Sequence, residues 1–246
     1  MGNIWIHRHI HKTGGTSIRQ LFLSLANAYL VSMHHSHKCT SVLNNSMETR
    51  IRVFEMHEHC LTFNTDILPT LLQLRVSIKV VLTTFIREPF EHSISSWIWA
   101  GKPSFGQFNR TISYWLPWNM QSNQLLHGDF DPFFRGNKEP SGTVYRMFND
   151  DQFHSLLHIL SHYDIVCPTN MMIMCTQHIL KELDLPAMPI DHIAPEHHRL
   201  TGKPLNHTAA ILLECRNINC SELVANRTKY DRQLFEYAQH SVQLFL

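Results

Sequence analysis

Residues 4–31 read IWIHRHIHKTGGTSIRQLFLSLANAYLV, and this stretch predicts the kind of fold. Residues 4–10 alternate Ile and Trp with His and Arg, which is the pattern of a β-strand. Residues 11–17 (HKTGGTS) form a turn rich in Gly and Thr. Residues 17–31 then have apolar side chains at helical spacing, at Ile18, Leu21, Phe22, Leu25 and Tyr29. The chain therefore begins with a strand, a glycine-rich turn and a helix.

The remaining sequence continues this alternation of strands and helices. Residues 79–86 (KVVLTTFI) are β-branched and almost wholly apolar, which is typical of a central parallel strand covered on both faces. We predict further strands at 51–56 and 163–167, helices at 66–75, 88–99, 119–127, 150–161, 170–184 and 227–244, and irregular segments at 33–49, 101–142 and 186–206. The pattern predicts one three-layer α/β domain over residues 1–246, with a mostly parallel central sheet.

The charge of the chain argues against one class of function. The formal net charge is +1 with histidine neutral, whereas binding of nucleic acid by bulk charge needs a strong basic excess. The sequence contains 19 histidines, and an unperturbed histidine titrates near pH ~6.5. We therefore expect no nucleic-acid partner, and a surface that becomes cationic in a mildly acidic compartment, where it would suit an acidic glycan.

The cysteines and glycosylation sequons bear on the cellular compartment. The even number of cysteines permits disulfides, and Cys215 and Cys220 are close enough in sequence for a short-loop bridge. Five sequons favour a secretory-pathway protein; they begin at Asn44, Asn109, Asn206, Asn219 and Asn226. The sequence has no signal peptide and no apolar run of membrane-spanning length. The expectation is thus either a cytosolic protein or a chain that lacks an upstream anchor.

The turn at residues 11–17 has the composition of an anion-binding loop. Gly14 and Gly15 let the backbone approach a ligand, and Lys12 adds a positive charge. Hydroxyl donors come from Thr13, Thr16 and Ser17. The backbone N–H groups at the start of the following helix attract anions. The Walker A pattern of ATPases is absent, because Lys12 precedes both glycines.

The KTGGTS stretch instead resembles the 5′-phosphosulfate loop of carbohydrate sulfotransferases that use 3′-phosphoadenosine-5′-phosphosulfate (PAPS). The heparan sulfate 6-O- and 2-O-sulfotransferases, for example, carry a Lys-Thr-(Gly/Ala)-(Gly/Ser)-Thr core after a strand. The resemblance implies that residues 12–17 bind the 5′-phosphosulfate of PAPS. The alternative is an ordinary glycine turn that caps a helix.

Residues 87–97 (REPFEHSISSW) resemble the second motif of that family, which binds the 3′-phosphate of PAPS. The family pattern is Arg-(Asp/Glu)-Pro-x-x-Arg-x-x-Ser-x-(Tyr/Trp), so Arg87 and Ser95 are the implied ligands. A guanidinium is a planar fork that suits a phosphate. His92 stands where the family has its second Arg, which removes a permanent charge and predicts weaker or pH-dependent nucleotide binding. A plain helix N-terminus with a capping ion pair is the alternative.

The resemblance also identifies candidate catalytic residues. Transfer to a hydroxyl needs a base, and FEMHEHCLTF (54–63) resembles the histidine-containing segment of the 2-O-sulfotransferases. His59 is the first candidate base and His57 the second, and a loop histidine without function is the alternative for either. Lys12 would also stabilise negative charge on the leaving oxygen. No metal is required.

Weaker similarities extend the resemblance from about residue 4 to residue 240. NMQSNQLL (119–126) resembles the Asn-x-Gln-x-x-x-Leu stretch that follows the 3′-phosphate motif in the family. Trp97 and Trp99 are candidates for stacking on sugar rings, with core packing as the alternative.

Together the motifs imply a P-loop-like sulfotransferase fold and a PAPS-dependent carbohydrate O-sulfotransferase. Its products would be an O-sulfated glycan and 3′-phosphoadenosine-5′-phosphate (PAP). The acceptor would be a glycosaminoglycan or another polysaccharide, including one that already carries sulfate. The family implies a glycoprotein of the Golgi lumen, anchored as a type II membrane protein. Two alternatives stay open, a His-rich glycan-binding module on a degenerate sulfotransferase fold and a phosphoryl transferase. The latter would need a Walker lysine and a Mg²⁺-binding carboxylate, and neither is found.

Overall fold

A five-stranded parallel sheet organises the fold. The computed structural model describes residues 3–10, 13–28, 31–36, 51–56, 63–99, 119–127, 148–188 and 220–243. The strands are β1 (Asn3–Arg8), β2 (Val31–Ser36), β3 (Ile51–Met56), β4 (Val80–Ile86) and β5 (Ile165–Pro168). The described helices are α1 (Gly15–Ala28), α2 (Leu68–Leu74), α3 (Pro89–Trp99), α4 (Met120–His127), α5 (Asp150–Leu160), α6 (Met172–Glu182), α7 (Cys220–Arg227) and α8 (Lys229–Gln243).

The strand order is β2-β3-β1-β4-β5. The first strand therefore lies in the middle of the sheet, between β3 and β4. All seven residues of β4 are buried, because β1 and β5 pair with its two edges and helices cover both faces. The prediction of an α/β domain with a parallel sheet is confirmed for the described residues.

Alternation along the strands separates two apolar layers, one on each face of the sheet. In β1, Ile4 and Ile6 belong to the layer that contains residues of α2, α4, α5 and α8. Trp5 belongs to the opposite layer, with residues of α1 and α6. A side chain of this size contributes about 1.5–3 kcal/mol when it is fully buried, and both layers consist of many such side chains. The three-layer arrangement follows from this two-sided burial.

The prediction of an irregular segment at 33–49 is wrong at its beginning, because residues 31–36 form the edge strand β2. β2 pairs in parallel with β3, with Val31 opposite Ile51 and Ser36 opposite Met56. This pairing satisfies backbone groups of β3 that would otherwise form an open sheet edge. The polar sequence VSMHHS does not have the pattern of a strand. β2 is stabilised instead by its pairing with β3. Consequently the segment 51–56 is the third strand.

Other predicted elements differ from the structure mainly at their ends. The first helix begins at Gly15 and ends at Ala28, which leaves three residues fewer at its end than predicted. Helix α7 was not predicted. A π-helical turn (Phe63–Ile67) precedes α2, so helical structure begins before the predicted residue 66. The predicted irregular segments 101–142 and 186–206 lie mostly outside the described residues.

A disulfide joins Cys167 to Cys175, with their Cα atoms 6.4 Å apart. Cys167 lies in β5 and Cys175 lies in α6, so the bridge fastens the strand to the helix that follows it. Both residues are fully buried. The suggested pairing of Cys215 with Cys220 cannot be compared with the structure, because Cys215 lies outside the described residues.

Candidate functional site

The two predicted phosphate motifs follow neighbouring strands at the same edge of the sheet. β1 and β4 are parallel and paired, with Arg8 opposite Thr84, so both strands end on one side. From this edge the chain leaves β1 towards β2, on one side of the sheet, and leaves β4 towards β5, on the other. Connections that diverge in this way open a crevice at the carboxyl ends of parallel strands, where α/β proteins bind ligands.

The first motif forms a tight turn before α1. Gly14 has φ +93°, a conformation that residues with a Cβ rarely adopt. A Cβ at Gly14 would also collide with Cε of Met172 and would lie 3.4 Å from its Sδ. The backbone angle therefore favours glycine at this position, and a Cβ would also require the end of the flexible Met172 side chain to move.

Hydrogen bonds within the turn give its residues different tasks. The Thr13 hydroxyl, which is fully buried, donates to the carbonyl of Ile10 at 2.8 Å and helps to shape the turn. The Ser17 N–H donates to the Gly14 carbonyl at 3.0 Å and starts the helical ladder. Gly15 and Thr16 form the first residues of α1, and backbone N–H groups at the start of a helix are able to bind an anion. The predicted ligand Lys12 lies outside the described residues.

The second motif begins at Arg87, immediately after β4. The side-chain amide of Gln121 bonds both backbone groups of this residue: Arg87 N–H donates to Oε1 at 2.9 Å, and Nε2 donates to the Arg87 carbonyl at 2.8 Å. The Arg87 guanidinium is 29% exposed and its Nε lies 3.5 Å from Glu91 Oε2. An ion pair that is this exposed contributes only about 0–1 kcal/mol.

The remainder of the second motif forms helix α3. Glu88 accepts a hydrogen bond from the Glu91 N–H at 2.8 Å and so caps the first turn. His92, which lies where the sulfotransferase motif has its second Arg, is 2% exposed, and Ser95 is partly buried. Burial thus separates the His92 ring from bulk solvent. Trp97 and Trp99 lie in the last turn of α3, and their side chains are outside the described part of the structure.

Helix α4 connects the second motif to the C-terminal helix. The Asp231 carboxylate of α8 accepts hydrogen bonds from the backbone N–H groups of Gln121 and Ser122, at 3.1 and 2.8 Å, and from the Ser122 hydroxyl at 2.7 Å. Asn119 Oδ1 accepts from the N–H of Tyr230 at 2.8 Å. Burial raises the pKa of Asp231 to about 6, although these hydrogen bonds act in the opposite direction. The stretch 119–126 thus has a structural role, because it links the backbone of Arg87 to α8.

A buried ion cluster lies beside the first motif. Glu55 of β3 is fully buried; its Oε1 lies 3.0 Å from His9 Nδ1, and its Oε2 accepts from Arg19 Nε at 3.0 Å. Burial alone would raise the pKa of Glu55, but the hydrogen bonds and charges of His9 and Arg19 hold that pKa far below its usual value. The carboxylate is therefore ionised at any physiological pH. The sequence alone did not indicate this cluster, because Glu55 is far in sequence from His9 and Arg19.

A second buried histidine lies on the same face of the sheet. His7 Nδ1 lies 3.1 Å from Thr83 Oγ1, which also accepts from Trp5 Nε1 at 2.9 Å. Burial, together with the charge of His9, lowers the pKa of His7 to about 3. His7 is thus neutral, and it packs against Phe85 with ring centroids 5.2 Å apart.

The candidate bases His57 and His59 lie outside the described residues. They directly follow Met56, the last residue of β3. β3 is the other neighbour of β1, so the segment that carries them leaves the same edge of the sheet as the two phosphate motifs.

A cleft of about 440 Å³ lies at the opposite edge of the sheet, around the amino ends of β4 and β5. Its charged side chains pair with one another. Lys79 Nζ lies 2.9 Å from Glu182 Oε2, and Arg75 forms an ion pair with Asp164. The two phosphate motifs do not line this cleft, because they follow the carboxyl ends of β1 and β4.

No helix in the described part of the chain has the length and apolarity needed to cross a bilayer. No three His, Cys, Asp or Glu side chains in those segments lie close enough together to hold a metal ion.

No protein-family model matches the chain. The search of curated protein sequences also found no significant match.

Proposed function

We propose that this protein is a carbohydrate O-sulfotransferase with a P-loop-like sulfotransferase fold that uses PAPS as its sulfuryl donor. The observation that carries the proposal is the adjacency of β1 and β4. Because these strands are paired and parallel, the Gly14 turn and Arg87 follow them into one crevice. A donor with phosphate groups at two ends of an adenosine would need such a pair of neighbouring anion sites.

Each motif then has a distinct task. The backbone N–H groups at the start of α1, with Lys12 and Ser17, would bind the 5′-phosphosulfate. Arg87 and Ser95 would bind the 3′-phosphate, which ordinary adenine nucleotides lack. The positive φ of Gly14 fits this assignment, because it lets the chain turn sharply into α1, and the start of a helix is where backbone N–H groups bind anions.

The reaction is an in-line transfer of the sulfuryl group. A bond forms between sulfur and the acceptor oxygen as the bond between sulfur and the oxygen of the 5′-phosphate breaks, and PAP leaves. His59 or His57 would take the proton of the acceptor hydroxyl. Lys12 would stabilise the charge that develops on the leaving oxygen more strongly in the transition state than in the ground state. Trp97 and Trp99 are the proposed contacts for the sugar rings.

The disulfide supports a lumenal location. Disulfides persist in oxidising compartments and are rare in the cytosol, and Cys167 and Cys175 are bridged. The exposed position of Asn226, which begins one of the five sequons, also suits a glycoprotein. We therefore propose the Golgi lumen as the place of action, with a glycan as acceptor.

The proposal is tested by two measurements on the purified protein. Calorimetry should show that PAP binds more tightly than AMP or ATP, and a transfer assay with labelled PAPS over a panel of glycans should identify a labelled product. Lys12→Ala and His59→Ala should lower transfer strongly. Preferential binding of ATP would instead favour a phosphoryl transferase, and glycan binding without any PAP affinity would favour a binding module. Either result would refute the proposed reaction.

A further inference from the structure

The residues on either side of the first phosphate motif contact the same buried carboxylate. His9 lies just before the turn and Arg19 lies just after it, in α1. Both contact Glu55, which belongs to a different strand, β3. Glu55 is therefore the non-local link between the two ends of the segment that contains residues 11–17.

We propose that Glu55 is a positioning residue, which fixes the spacing between His9 and Arg19 and thereby holds the Gly14 turn in the geometry that binds the donor. This inference rests on the proposed function for the identity of the donor. Its structural part concerns the turn alone, and the two parts can be tested separately.

The contacts of Glu55 with His9 and with Arg19 depend on each other, because they share one carboxylate. Arg19 uses two groups: Nε donates to Oε2 at 3.0 Å, and Nη2 donates to Oε1 at 3.5 Å. Oε1 is also the oxygen that lies 3.0 Å from His9 Nδ1. The Glu55 carboxylate thus contacts one nitrogen atom of His9 and two of Arg19. If the carboxylate moved, contacts on both sides of the turn would break.

Burial restricts this link at Glu55, which has no exposed surface, and at His9, which is 8% exposed, whereas the Arg19 side chain is 40% exposed. A buried carboxylate that loses one of its partners is strongly destabilised, because water cannot replace the missing contact. An exposed ion pair would exert no such constraint. Among the other hydrogen bonds of this segment, the one from the Ser17 N–H to the Gly14 carbonyl is local, and the one from the His9 N–H to the Met56 carbonyl, at 2.9 Å, holds the residue before the turn against β3.

The structural part is tested by hydrogen exchange on the free protein. In Glu55→Gln, which keeps the shape of the side chain but removes its charge, the amides of Ser17 and Ile18 should exchange about tenfold faster than in the wild type. Ile67→Val is the control, because it weakens the apolar layer on the opposite face of the sheet, away from the turn. Equal exchange at Ser17 and Ile18 in Glu55→Gln and in the control would overturn the inference, whether or not the protein binds PAP.

The second measurement is the affinity for PAP. Glu55→Gln should bind PAP about tenfold more weakly, and Arg19→Lys, which keeps the charge but loses the two-point contact, should fall between Glu55→Gln and the wild type. Ile67→Val should bind PAP as the wild type does. If Glu55→Gln does not fold, Arg19→Lys carries both measurements. Unchanged PAP affinity in both variants would overturn the inference, and a loss of similar size in Ile67→Val would do the same.

The outcomes distinguish the two proposals. If the wild type does not bind PAP but Glu55→Gln still accelerates exchange at the turn, the proposed donor is wrong and the positioning role of Glu55 stands. If the wild type binds PAP and neither variant changes affinity or exchange, the donor assignment survives and the role of Glu55 is refuted.

Discussion

Gln121 and Arg87 are joined by a two-point hydrogen bond between a side-chain amide and a peptide backbone, with distances of 2.9 and 2.8 Å. This arrangement imitates the pairing of two strands, and it holds the backbone of β4 in place where the chain leaves the sheet. The backbone from which the Arg87 side chain extends is therefore held by Gln121, which lies more than thirty positions further along the chain.

We predict that Gln121→Glu weakens binding of the 3′-phosphate. A carboxylate can still accept from the Arg87 N–H, but it repels the Arg87 carbonyl to which Gln121 donates. The affinity for PAP should fall about tenfold, which corresponds to about 1.4 kcal/mol. The affinity for adenosine 5′-phosphosulfate, which lacks the 3′-phosphate, should change little.

Calorimetry with both nucleotides measures this difference. Gln73→Ala, on the exposed side of α2, is the matched control and should leave both affinities unchanged. An equal loss for the two nucleotides would show that Gln121 supports the fold as a whole rather than Arg87.

Gly14→Ala should destabilise the protein for two separable reasons. The positive φ costs a residue with a Cβ about 1–2 kcal/mol, and the added Cβ collides with Cε of Met172. The double variant Gly14→Ala/Met172→Ala removes the collision but keeps the backbone penalty.

Urea unfolding of the single and double variants separates these costs. In a thermodynamic cycle with Met172→Ala, the effect of Gly14→Ala should be smaller when Met172 is absent. Equal effects in both backgrounds would mean that the turn moves away from α6 without cost.

His7 should make the protein less stable in acid. Its pKa is lowered from 6.5 to about 3, so below pH 6.5 the unfolded chain binds a proton that the native protein excludes. The contribution of His7 to the unfolding free energy is therefore complete above pH 6.5 and is lost as the pH falls towards 3. The slope should approach about 1.4 kcal/mol per pH unit in this window.

Urea unfolding at several pH values tests this dependence, with His7→Phe as the variant that cannot titrate. Asp231 contributes with the opposite sign, since its pKa is raised from 3.8 to about 6 and its native form gains a proton as the pH falls. The comparison of His7→Phe with the wild type cancels that contribution. A wild type and variant with parallel pH profiles would contradict the prediction.

The disulfide should be an essential part of the stability of β5 and α6. It closes a loop with a sequence separation of 8 residues, for which a chain-entropy estimate gives about 2–3 kcal/mol. Cys167→Ala/Cys175→Ala should lose about this amount, and reduction of the wild type should cause a similar loss. Mass spectrometry of peptides from the native protein checks the pairing directly, and free thiols at both positions would contradict it.

Local patterns were sufficient for most of the secondary structure. The apolar run at 79–86 predicted a central strand, because a strand covered on both faces needs such a sequence wherever it lies. β2 was missed for the opposite reason, since an edge strand with polar residues is stabilised by pairing that a local pattern does not contain. The two phosphate motifs were recognised because their residue types and spacing are themselves local.

The sequence by itself determined an α/β chain with a strand–turn–helix unit at its start and an arginine motif after a buried strand. Only the tertiary structure decided that β1 and β4 are neighbours, that Gln121 holds Arg87, and that Glu55 joins His9 to Arg19. These contacts link residues that are far apart in the sequence, as does the hydrogen bond between Trp5 and Thr83, which are 78 positions apart. These contacts depend on the order of the strands in the sheet. That order results from the packing of both apolar layers and cannot be deduced from the residues of any single segment.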